Sequence, residues 1–187
     1  MRDVKELFRA ELEKIHSPEW KNGCIGMMDR IPEYFWVTPA STSGKYHPAC
    51  DLGEGGLVRH SIMVSRIAVD LVEAEIFTPK NDWEEDAARI AALFHDAWKL
   101  GDGAENKTQF EHPILAAEWL KHELTQFMSG FAAKCICDAV RSHMGKWNRS
   151  KDTDTVLPIP ATNFEQLIHT ADFIASRKYI GGIEEFN

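Results

Sequence analysis

The groups of this chain that could do chemistry are imidazoles and carboxylates standing where apolar residues are expected. His60 shares a helical face with Leu57, Val64 and Leu71, so its ring is directed into a helix interior. His95 and Asp96 end the apolar run Ile-Ala-Ala-Leu-Phe at 90–94, and His143 follows Ile136, Ala139 and Val140 along another apolar face. Asp172 lies four residues after Ile168 and three before Ala175, in the stripe that also holds Phe164, Leu167 and Ala171. An ionised carboxylate buried there is unfavourable by several kcal/mol unless it is paired or coordinates a metal. Arg177 could serve as the paired cation. A lone histidine on an apolar face is more often a satisfied core residue, and His112, beside Pro113 at a helix start, could equally be an exposed capping residue.

Several such groups aimed into one helical interior resemble a bundle-core metal site, in which facing helices each supply a ligand. A mixed imidazole and carboxylate set suits one or two ions of Mn, Fe, Co, Ni or Zn, with Mg admitted, better than Ca, and it needs no cysteine. Cys135 and Cys137 stand two apart in a helical pattern, so they point to different sides rather than to one zinc ion. Lys99 follows His95 by four residues, which a continuous helix would place on the same face. Candidate phosphate contacts are Arg59, beside His60, and Lys45 with His47 in the preceding loop. The segment 141–151 holds Arg141, Lys146, Arg149 and Lys151 with no acidic residue, and Trp147 could stack on a base. A solvated basic loop is the plainer reading of that segment. His16, His122 and His169 read as surface or packing residues.

These residues need helices to carry them. Apolar positions Val4, Leu7, Phe8, Leu12 and Ile15 predict an amphipathic helix over 3–16, and the prolines and glycines of 17–56 predict a long connection. A helix over about 57–77 begins after the breaker pair Gly55-Gly56. Another over about 82–100 has Asp82 as its cap, Glu84 and Glu85 in its first turn and Gly101 as its stop. Pro113 opens a helix to about 127, Gly130 precedes one ending near His143, and Asn163 opens a last one to about 178. No run alternates with period two, and the short alternation at 155–159 lies between prolines, so the expected class is all-α, one domain spanning 1–187 with a core at 57–178.

Composition limits the partners. Apolar residues make up 44% of the chain and charged residues 27%, which suits a globular protein and not a disordered one. The formal charge of −8 disfavours duplex DNA, since polyanion binding relies on Lys and Arg neutralising phosphates. No apolar run reaches the roughly 18 residues of a membrane span. The charged start, without an apolar signal segment, and four cysteines read as free thiols lead to the expectation of a cytoplasmic protein.

The order His60, His95-Asp96, Asp172 resembles the H…HD…D pattern of HD-domain metal-dependent phosphohydrolases. So do the segments GGLVRHS, ALFHDAWKLG, RSHMG and HTADFIASR, which together extend the likeness over about 53–178. The lead-in YFWVTPASTSGKYHP is similar to small HD proteins of phages and bacteria. The resemblance implies an HD helical bundle in which His60, His95, Asp96 and Asp172 hold a first metal. His112 and His143 correspond to the extra histidines of binuclear members, with Asp96 as the bridge. It implies catalytic roles for Asp96 and Lys99, the latter on transition-state charge or the leaving group, and a water nucleophile activated by metal. The expected substrate is a small phosphorylated molecule, a nucleotide or short phosphodiester, and a homo-oligomer is compatible. Two alternatives stay open: a di-iron oxygenase of the HD type, and a metal-containing nucleotide-binding module without turnover.

Overall fold

The computed structural model describes residues 3–41, 44, 46–79, 81–102 and 107–181. Among them are eight α-helices and no strand, the one β-bridge being Arg149 to Val156. The helices are α1 (Val4–Leu12), α2 (Pro18–Met27), α3 (Tyr34–Val37), α4 (Gly56–Glu73), α5 (Glu84–Phe94), α6 (His112–Leu124), α7 (Gly130–Ser142) and α8 (Asn163–Ala175). Short 3-10 turns stand at Met28–Arg30, Ala49–Asp51 and Lys178–Gly181. No described helix is long and apolar enough to cross a membrane.

Helix α4 packs against α5 and α8, and α7 packs against α6, α8 and α5. The seam is filled by Leu57, Val64, Ile90, Leu93, Ile136 and Ile168, all fully buried. On one side, Phe8 from α1 meets Phe35, Trp36 and Phe94 edge to face, at centroid distances of 5.7, 5.4 and 5.4 Å. That geometry, preferred by aromatic quadrupoles, fastens the N-terminal segment to the rear of the α5 helix.

The segment 17–56 is more ordered than a connection. Ser17 caps α2 by accepting the Trp20 N–H, and Pro18 occupies its first turn, where the missing N–H is no loss. Gly23, a weak helix residue, stands where a Cβ would lie 2.5 Å from the Phe127 ring. Helix α5 also departs from expectation: Asp82 is not its cap, Trp83 is, and the helix stops at Phe94 instead of reaching 100. Residues 95–101 continue as turns, with Ala97, Lys99 and Gly101 N–H groups bonded to carbonyls three residues earlier. Tyr34 pins this stretch, its hydroxyl donating to Gly101 O at 3.0 Å and accepting from Leu100 N at 3.3 Å. The sixth and eighth helices end at Leu124 and Ala175, short of 127 and 178.

Candidate metal centre

Helix ends build the site. His95 is the C-cap of α5, His143 the C-cap of α7, and His112 the first residue of α6. The last carbonyls of a helix lack intrahelical partners. His95 and His143 use them: Nδ1 of His95 lies 2.7 Å from Ala92 O, and Nδ1 of His143 lies 2.7 Å from Val140 O. His112 makes the same i to i−3 contact with Gln109 O at 2.6 Å. Because a carbonyl only accepts, a proton is assigned to Nδ1 in all three rings, and Nε2 of each, where it carries no second proton, presents its lone pair.

Those lone pairs face carboxylate oxygens. His112 Nε2 is 3.1 Å from Asp96 Oδ1, His143 Nε2 3.8 Å from the same atom, and His95 Nε2 3.4 Å from Asp96 Oδ2. Asp172 Oδ1 lies 3.0 Å from His60 Nε2 and 3.8 Å from His95 Nε2. His60, His95, Asp96, His112 and His143 are all at most 3% exposed. Acceptors facing acceptors in a dry interior repel unless a ring is protonated or a cation joins them. His95 Nε2 and Asp96 Oδ1 are buried without a hydrogen-bond partner, as expected of atoms arranged for a metal. Three overlapping sets could hold ions: His60, His95 and Asp96; Asp96, His112 and His143; His95, His143 and Asp172. In each, the ligand atoms lie within 4.8 Å of one another. Asp96 belongs to two sets, the arrangement a bridging carboxylate requires, and no cysteine joins any set among the described residues. The donor types fit a first-row transition metal.

The electrostatics follow from crowding. Burial alone would raise the Asp96 carboxyl, but Lys99 and His95, with the contact from His112, hold it well below the usual range. Asp172 is depressed in the same way, its burial outweighed by His60 and His95. Burial pushes His143 down to about 3, helped by the neighbouring His95, so its ring stays neutral. His95 goes the other way, since the charge of Asp96 outweighs its burial.

The ligand set opens onto a cavity of about 540 Å³. Lys99 lines it, but not through a shared helical face with His95; it reaches Asp96 across the turn, Nζ to Oδ2 at 2.6 Å. His47 lines it too, its ring 4.9 Å from that of His60 and pushed down to about 3 by burial and by His60. Trp147 is at the wall, yet its ring is already engaged by Lys146 Nζ at 4.8 Å and by a parallel stack on Phe173 at 5.6 Å. Arg59 and Lys146 do not line the cavity; Arg59 instead donates from Nε to Cys50 O at 2.7 Å. Lys45 lies outside the described residues. Arg177 makes no ion pair with Asp172, whose partners are His60 and His95.

Three wall residues were not legible as such. His169, read as surface or packing, lines the cavity and donates from Nδ1 to His143 O at 2.7 Å. Phe173 and Arg177 also face it, and the only sequence signal was their position one and five residues beyond Asp172. Comparison with known proteins places the site in context: the family model of the HD domain matches residues 57–175. No curated protein and no solved structure matches the chain.

Proposed function

This chain belongs to the HD-domain family, and from that premise we propose that it is a phosphohydrolase acting on a nucleotide or a short phosphodiester with one or two bound transition-metal ions. The family is generally one of metal-dependent phosphohydrolases. The observation that carries the reading is the trio of overlapping ligand sets, two of them sharing Asp96, at the floor of an open cavity.

Divalent ions in such a set polarise a phosphoryl group and generate a nucleophile from water at neutral pH. The chain does the rest. Backbone carbonyls at Ala92, Gln109 and Val140 fix the tautomers of His95, His112 and His143, which removes a reorientation step before ligation. Lys99 supplies a cation at the cavity edge, 13% exposed, from which its N–H groups can reach a phosphoryl oxygen while Asp96 serves as ligand. His47, kept neutral, offers a hydrogen bond without adding charge. The cationic lining of Lys99, Lys151 and Arg177 favours an anionic substrate.

The test is metal analysis of the purified protein followed by a nucleotide and phosphodiester panel. Asp96→Ala abolishes metal-dependent turnover. His122→Ala, whose side chain is 79% exposed, leaves it nearly intact. Equal activity in the two variants counts against the site, and oxygen uptake by iron-loaded protein without phosphate release replaces the reaction.

A further inference from the structure

The chain carries 29 acidic against 21 basic side chains, and many basic groups have an acidic partner: Lys5 with Glu33, Arg30 with Glu123, Arg89 with Glu85, Lys99 with Asp96. Two cations lining the metal cavity break that pattern. Arg177 and Lys151 pair with no carboxylate among the described residues.

Arg177 is also held in place. Its Nε donates to Phe173 O at 3.1 Å and its Nη2 to Ser176 Oγ at 3.2 Å. The guanidinium lies 4.3 Å from the Phe173 ring centre and 5.8 Å from that of Tyr46. Phe173 in turn stacks on Trp147 with an interplanar angle of 15°. This aromatic column sets the guanidinium plane before a ligand arrives, and the Nη1 donors have no partner among the described residues. A planar fork with its orientation already fixed and donors to spare is suited to a phosphate, because little further entropy is lost on binding. The same cavity contains His60, Asp96 and Asp172, so one molecule can meet the metal ligands and Arg177 together.

We propose that Arg177, assisted by Lys151, is the receptor for a second phosphate group of the substrate, making molecules with two or more phosphates the preferred class over nucleoside monophosphates. The assignment rests on the phosphohydrolase reading for the fate of the first phosphate. Trp147 and Phe173 serve as the rigid backing of the receptor, not as a free platform for a base.

The test compares adenosine 5′-monophosphate, adenosine 5′-triphosphate and the 5′-phosphorylated dinucleotide pApA on the metal-loaded full chain. Binding is read by tryptophan fluorescence, with hydrolysis followed in parallel. In Arg177→Gln the dissociation constant for at least one of the two polyphosphorylated probes rises about ten- to hundredfold, the range for one lost charge-assisted contact, while that of the monophosphate moves by less than about threefold. Arg177→Lys, which keeps the charge without the fork, recovers part of the loss and controls for folding. A response confined to the triphosphate makes the second phosphate contiguous with the first; a response confined to pApA places it one nucleotide away. A uniform loss over all three probes, or none, overturns the assignment. Binding that depends on Arg177 without hydrolysis of any probe leaves the receptor standing and overturns the phosphohydrolase reading, whereas hydrolysis indifferent to Arg177 does the reverse.

Discussion

Replacing Gly145 by alanine tests whether the metal centre depends on the turn behind it. Gly145 follows the α7 C-cap His143 by two residues and has φ of +57°, a conformation that disfavours a side chain by about 1–2 kcal/mol. A Cβ there would lie 2.6 Å from His169 Nδ1 and closer to two further ring atoms. To reach ordinary contact, which begins at 3.4 Å, the ring must retreat by about 1 Å. That retreat breaks the His169 Nδ1–H bond to His143 O, a loss of about 1 kcal/mol. The sum is about 2–3 kcal/mol, or a fall of about 5–10 °C in Tm for a chain of this size. Urea unfolding of metal-free protein measures it. In a His169→Ala background the overlap disappears, so Gly145→Ala should then cost only the backbone term, near 1–2 kcal/mol. Because His143 shares the turn, metal affinity in Gly145→Ala should also drop and recover in part in the double variant. If Gly145→Ala has the same effect in both backgrounds, the contact between Gly145 and His169 has been misread.

Gly26→Ala, where a Cβ meets open space inside α2, should stabilise by about 0.5–1 kcal/mol, while Gly23→Ala should destabilise by driving into Phe127; melting curves of the two decide it. Glu11 is buried, which would raise its pKa, yet Arg66 and Lys14 hold it below 4.5. Its stabilisation is therefore complete above the unfolded value and lost as the pH falls through the lower folded one. Glu11→Gln should cost about 1–2 kcal/mol at pH 7, and the gap from the parent chain should close in acid; a gap that is constant with pH would sink the assignment. Chelation should lower Tm, and Mn at a hundred times its dissociation constant should restore about 2.7 kcal/mol, an effect that Asp96→Ala removes.

The helices expected over about 57–77, 113–127, 130–143 and 163–178 were legible because each has one buried stripe, although they end earlier, at Glu73, Leu124, Ser142 and Ala175. Asp172 stood out as a carboxylate in such a stripe, and the structure sets it 3.8 Å from His95 Nε2. Residues 18–27 were misread because Ser17-Pro18 was taken as a break, although serine at a cap followed by proline in the first turn starts a helix. The end of α5 was misplaced because its apolar period continues through Ala97 and Leu100, which are buried from turns. Lys99 consequently pairs three residues back with Asp96, across a turn, instead of sharing a face of a continuous helix with His95. The cavity wall was least accessible: His169 and Arg177 become lining residues only when α8 is packed against α4 and α7, a tertiary fact with no local signature.

Three of the imidazoles take their bearings from peptide carbonyls, a group that every residue type supplies alike. Substitution at Ala92, Gln109 or Val140 therefore leaves the acceptor in place so long as the local backbone path survives. Under the proposed function, recognition would instead lie in replaceable side chains of the cavity wall. A designer could then exchange that wall to test other ligands while leaving the candidate metal ligands beneath it unchanged.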